Sequence, residues 1–112
     1  MKTQIQSIHF VADKKLTDFI EAKINKFNKI YKRIESCSVI LKTDKNDKTK
    51  NKIVEISVLM PGNRLFSSDQ SETFEIATDL AVEEIIKQLH KHKEKMASKE
   101  LPADARITLK GK

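Results

Sequence analysis

Ser36-Cys37-Ser38-Val39-Ile40-Leu41-Lys42-Thr43 and Lys52-Ile53-Val54-Glu55-Ile56-Ser57-Val58-Leu59-Met60 are two apolar, β-branched runs. The polar stretch Asp44-Lys45-Asn46-Asp47-Lys48 lies between them. Strand formers on both sides of turn formers read as a β-hairpin. In the second run Val54, Ile56, Val58 and Met60 alternate with Glu55, Ser57 and Leu59, which gives the strand one apolar face. Pro61-Gly62 fits positions i+1 and i+2 of a type II turn, whose second residue needs a positive φ. A further strand over about 64–69 follows that turn.

On either side of this hairpin the period changes. Residues 3–11 read as a strand in which Ile5 lies on one face and Ile8 and Phe10 on the other. A bulge, or burial on both faces, accounts for that slip. Asp13 stands where an N-cap belongs. Leu16, Phe19, Ile20, Ile24, Phe27, Ile30 and Tyr31 then recur at mostly three- and four-residue intervals, so the spacing predicts a helix over 14–33. A second, longer helix starts near Ser71 and runs to about Ser98, with Phe74, Ala77, Ala81, Ile85, Leu89 and Met96 on one face. The order β-α-β-β-β-α makes an α+β fold: a four-stranded sheet with two helices packed on one face, similar to a dsRBD. The first two strands should be parallel, joined by a right-handed crossover through the first helix. Residues 1–100 are expected to form the one domain, and residues 101–112, with Pro102 and Lys110-Gly111-Lys112, a short flexible C-terminal tail.

Composition narrows the function. In 112 residues, Lys and Arg outnumber Asp and Glu by 22 to 16, for a net charge of +6. A basic excess of this size favours a polyanionic partner. The N-terminus carries no apolar signal core, and no apolar run approaches the roughly 20 residues of a membrane span, so a cytoplasmic protein without a membrane partner is expected. Cys37 is the single cysteine, which excludes an internal disulfide or a cysteine metal cluster. With Gly62 and Gly111 the only glycines, there is no phosphate-cradling loop. His90 and His92 are two apart on a helix and cannot chelate one metal together; His92 falls on the apolar stripe and reads as a packing residue. His9 stands alone, and Glu83 and Glu84 diverge on their helix. Asp44 to Asp47 lacks the later ligands and the glycine of a calcium loop. These absences argue against an enzyme, a metal, a cofactor or a small-molecule substrate.

The positive signal is the charge order of the long helix. Its first half carries Glu75, Asp79, Glu83 and Glu84; its second carries Lys87, Lys91, Lys93, Lys95 and Lys99 against Glu94. The helix dipole favours the same order. Lys87, Lys91 and Lys95 nevertheless form an i, i+4, i+8 row that drifts towards one flank of the apolar stripe. On the first helix Lys15, Lys26 and Arg33 sit beside the stripe, with Lys29 further round and Lys23 inside it. Lys23 either snorkels over the sheet or emerges in the groove between the helices. Such an array holds phosphates without reading bases. Of one Tyr and five Phe, most fall on helix stripes, and no strand carries an aromatic base-stacking platform. Backbone recognition of structured RNA therefore fits better than single-strand reading. The alternative is a protein-interaction αβ module whose lysines only solvate it.

Three segments resemble a known family: Met1-Lys2-Thr3-Gln4-Ile5-Gln6, Ile20-Glu21-Ala22-Lys23-Ile24-Asn25-Lys26-Phe27, and the block from Ala77-Thr78-Asp79 to Lys87-Gln88-Leu89-His90-Lys91-His92-Lys93-Glu94-Lys95. Together they are similar to the short-form ribosome hibernation promoting factors, which include the ribosome-associated inhibitor A proteins. The resemblance covers about residues 1–97. It implies a stress and stationary-phase translation inhibitor, monomeric when free, that binds small-subunit rRNA in the mRNA/tRNA channel and protects idle ribosomes. Carried onto this chain, the RNA-binding residues are Lys23, Lys26, Lys87, Lys91, Lys93 and Lys95; the charge pattern adds Lys29 and Arg33. Where the family often has a lysine, three residues before the basic-Gln-Leu motif, this chain has Glu84. That places the edge of the binding row.

Overall fold

The computed structural model describes the backbone of residues 1–100 and the side chains of residues 1–95. The expected tail at 101–112 and the side chains of Met96 and Lys99 lie outside the described residues. The elements are β1 (Lys2–Ser7), α1 (Lys14–Ile30), β2 (Ser36–Thr43), β3 (Lys52–Met60), β4 (Asn63–Ser71) and α2 (Phe74–Glu100). The sheet order is β1-β2-β3-β4. β1 and β2 are parallel, with Ile5 opposite Val39, while β2, β3 and β4 pair antiparallel.

Strand alternation sends one set of side chains to the helices. Cys37, Val39 and Leu41 of β2, Val54, Ile56, Val58 and Met60 of β3, and Leu65 of β4 are buried. They meet Ile20, Ile24 and Phe27 of α1, and Ala77, Ala81, Val82, Ile85 and Leu89 of α2. Ile20, Ile24 and Phe27 fall at i, i+4 and i+7 and are fully excluded from water, each burial contributing about 1.5–3 kcal/mol. One polar group inside is satisfied: the Ser67 hydroxyl donates to the Ala81 carbonyl at 2.9 Å, fastening β4 to α2.

The element ends differ from the sequence reading, each for a local reason. β1 stops at Ser7, not at residue 11. There the Ser7 hydroxyl donates to the Phe10 carbonyl at 2.7 Å, and His9 takes φ +68°, so the slip between Ile5 and Ile8 marks a turn, not a bulge. α1 begins after Asp13, whose carboxylate accepts the Leu16 N–H at 2.9 Å. It stops at Ile30, three residues short of the expected end, because Tyr31 is extended. That extension lets Ile34 turn into the core, where it is buried. α2 begins at Phe74, not near Ser71: Thr73 caps it by accepting the Ile76 N–H on its hydroxyl. β4 is longer than the expected 64–69 at both ends. Gly62 sits at φ +73°, as position i+2 of a type II turn requires.

Candidate nucleic-acid interface

α1 and α2 run side by side in the same direction. Lys23 of α1 pairs with Asp79 near the start of α2 at 3.0 Å, and Tyr31, at the end of α1, meets the His92 ring edge-on at 5.1 Å. At the opposite end the Phe10 and Phe74 rings stack at 5.2 Å. Parallel packing brings the C-terminal ends of both helices to one end of the domain, and with them their basic halves. Lys26 and Lys29 of α1, Arg33 of the following turn, and Lys87, Lys91, Lys93 and Lys95 of α2 are all exposed. None of them enters an ion pair among the described residues. Lys32, in the same turn as Arg33, and Arg64, beside the β3–β4 turn, add two exposed cations that the helical pattern did not single out. The acidic first half of α2 stands at the other end.

Within this pole the basic residues of α2 divide between two flanks. Lys91 and Lys95, one turn apart, border a hollow of about 170 Å³ with Asn63, Leu65, Gln88 and His92 on the β4 side. Lys93, seven residues after Ile86, falls on the flank that faces α1. Lys23 stands apart from both. It does emerge in the inter-helix groove, but that groove also holds Asp79 and Glu83, and Asp79 already neutralises its ammonium. The ammonium also lies 5.3 Å from the centre of the Phe19 ring. Lys23 therefore does not extend the row of Lys87, Lys91 and Lys95.

Besides the core residue Leu89, two polar residues of the Lys87-to-Lys95 block work inward. The Gln88 amide donates to the Phe66 carbonyl at 2.9 Å and accepts the Phe66 N–H at 3.4 Å. Phe66 belongs to edge strand β4, so Gln88 takes the place of a neighbouring strand at that point. His92 contacts the Asn63 amide at 3.0 Å through Nδ1. Asn63 Oδ1 is occupied by the Arg64 N–H, so its Nδ2 donates and His92 Nδ1 accepts. His92 is thus the packing residue its stripe position indicates. It ties α2 to the β3–β4 turn and to the end of α1. Gln88 and His92 are one helical turn apart and border the same hollow as Lys91.

Glu84 faces the Asp69 carboxyl of β4. Burial, then the hydrogen bond and the charge of Glu84, push Asp69 up to about 6. Burial pushes the Cys37 thiol up to about 12, which leaves it an inert core side chain. Among the described residues no cluster of three or more His, Cys, Asp or Glu can hold a metal. No described helix is long and apolar enough to cross a membrane.

Fold and surface define a two-layer β-α-β-β-β-α domain with a polarised helical face, basic at one end and acidic at the other. The chain belongs to the family described as sigma 54 modulation protein / S30EA ribosomal protein, whose model matches residues 3–97. It is 32% identical over 95 residues to a ribosome hibernation promoting factor of Azotobacter vinelandii, covering 82% of this chain and 85% of that protein. Its identity to a ribosome hibernation promoting factor of Pseudomonas putida is 27% over 98 residues, covering 88% and 92%. Two solved structures share the fold. A ribosomal subunit interface protein from Coxiella burnetii superposes with a TM-score of 0.74 at 23% identity, over 84% of this chain and 99% of that one. The N-terminal domain of Thermus thermophilus Protein Y gives 0.71 at 19% identity, over 82% and 99%.

Proposed function

We propose that this protein is a non-enzymatic ribosome hibernation factor that holds the small subunit through rRNA phosphates. On this reading it occupies the channel of mRNA and tRNA and keeps idle ribosomes silent under stress. The observation that carries the proposal is the gathering of basic side chains, from two helices, at one end of the domain. Lys26, Lys29, Arg33, Lys87, Lys91, Lys93 and Lys95 have no acidic partner among the described residues and are available to phosphate. Lys23 contributes only by exchanging Asp79 for a phosphate. Glu84, beside Asp69, bounds the surface. Membership of the family and the names of its relatives support the ribosome as the partner.

The proposal is tested by sedimenting the protein with purified small subunits at low salt. The parent should co-sediment and be released as salt rises. The double variant Lys87→Glu, Lys91→Glu should stay in the supernatant with an unchanged far-UV circular dichroism spectrum. Undiminished co-sedimentation of that folded variant would remove the site assignment.

A further inference from the structure

The sheet face turned away from the helices has no partner within the described residues. Register fixes its rows. Lys2, Ser36, Leu59 and Arg64 stand side by side across the four strands, and Gln4, Ser38, Ser57 and Phe66 form the next row. Phe66 is 51% exposed and Leu59 37%. They are diagonal neighbours on adjacent strands, close enough to share one apolar platform. The serines around them are short, so the surface beside the ring is flat. Lys2, Thr3, Gln4, Ser36, Cys37 and Ser38 line a shallow hollow of about 360 Å³ where β1 pairs with β2, and Lys2, Gln4, Ser36 and Ser38 are its side chains on the open face.

The charge of the face is positive. Glu55 is neutralised by Lys42 at 2.9 Å, which leaves Lys2 and Arg64 as its cations. Both lie in the row nearest the basic pole of the helices.

We propose that this open face binds a short stretch of single-stranded RNA. One base stacks on Phe66, Arg64 and Lys2 hold phosphates, and the strand crosses the sheet towards the hollow, where the Gln4 amide and the Ser38 hydroxyl meet a second base. Three inter-strand spacings put Phe66 about 14 Å from Gln4, a span of a few extended nucleotides. A lone exposed ring beside cations and neutral polar groups suits a nucleotide, because every base has a π-face and every nucleotide of the strand a phosphate. The occupant is not a second copy of this chain. Stacking two such faces would bring two surfaces of the same positive charge together, and Gln88 closes the β4 edge at Phe66 to strand pairing. Of the four apolar side chains on this face, Ile40 and Ile53 are half-buried and only Leu59 and Phe66 are exposed, which falls short of the contiguous patch that a protein partner uses. The site goes beyond the ribosome-binding reading, since it uses the opposite face from the helix lysines.

The test is fluorescence anisotropy of a fluorescein-labelled heptauridylate at low salt, with the full chain. Phe66→Ala should weaken binding at least about fivefold, and Phe66→Tyr should keep it, as loss and retention of one stacked base require. Phe66→Ala should still co-sediment with small subunits, which separates this site from the helical one. Parent-like binding of the oligonucleotide by Phe66→Ala, or no binding by the parent, would overturn the proposal.

Discussion

Replacing Asp69 by Asn should stabilise the protein at neutral pH and leave it unchanged in acid. Asp69 sits on β4 against α2, with its Oδ2 buried and the Glu84 carboxyl beside it. Its carboxyl is held up to about 6 against an ordinary 3.8, first by burial and then by Glu84. The native state therefore binds this proton more tightly than the unfolded chain does. Stability from this group falls as pH rises from about 4 to about 6, and the full penalty persists above about 6. Two pH units set a ceiling of about 3 kcal/mol. Solvent at the sheet edge screens the pair and brings the effect nearer ~1 kcal/mol. Asn removes the charge and can donate to Glu84. Urea unfolding of parent and variant at about pH 7 and about pH 4 reads the difference. A gain of ~1 kcal/mol at the higher pH that vanishes at the lower one is expected. A difference that does not change with pH, or a loss at neutral pH, would refute the reasoning.

Other outcomes follow from single contacts. Gln88→Ala frees the Phe66 N–H and carbonyl at an edge that water can reach, so it should cost only about 1 kcal/mol while raising amide hydrogen exchange at Phe66. Asp13→Ala removes the α1 cap and should lower stability by about 1 kcal/mol, seen as a reduced Tm with an unchanged fold. Thr78 is fully buried with its hydroxyl unpartnered among the described residues, so Thr78→Val should raise the urea midpoint by the equivalent of about 1 kcal/mol.

Much of the fold was legible because it is written in short periods. The alternation of Val54, Ile56, Val58 and Met60, the three- and four-residue spacing of Ile20, Ile24 and Phe27, and the Pro61-Gly62 turn each declare an element locally. The misplaced ends were set by small capping groups: Ser7 closing a turn on Phe10, and Thr73 outdoing Ser71 as the start of α2. The basic row on α2 was visible in its spacing. Its supports were not, because they join residues far apart in the chain. Gln88 reaches Phe66 across 22 residues, and His92 reaches Asn63 across 29. The Asp79 partner of Lys23 was hidden for the same reason, since only the parallel packing of the helices brings the two together. Phe66 was counted among aromatics that mostly lie on helices. One ring on the outward position of a strand is no platform by itself, and its neighbours across the sheet appear only once the register is known.

The salt dependence of small-subunit binding tests the central claim most directly. If the basic pole holds rRNA phosphates, the logarithm of the binding constant should fall linearly with the logarithm of salt concentration, by about 0.7–0.9 for each phosphate contact. Lys91→Ala should reduce that slope by about one contact. An affinity that stays flat as salt rises, with Lys91→Ala indistinguishable from the parent, would contradict the account.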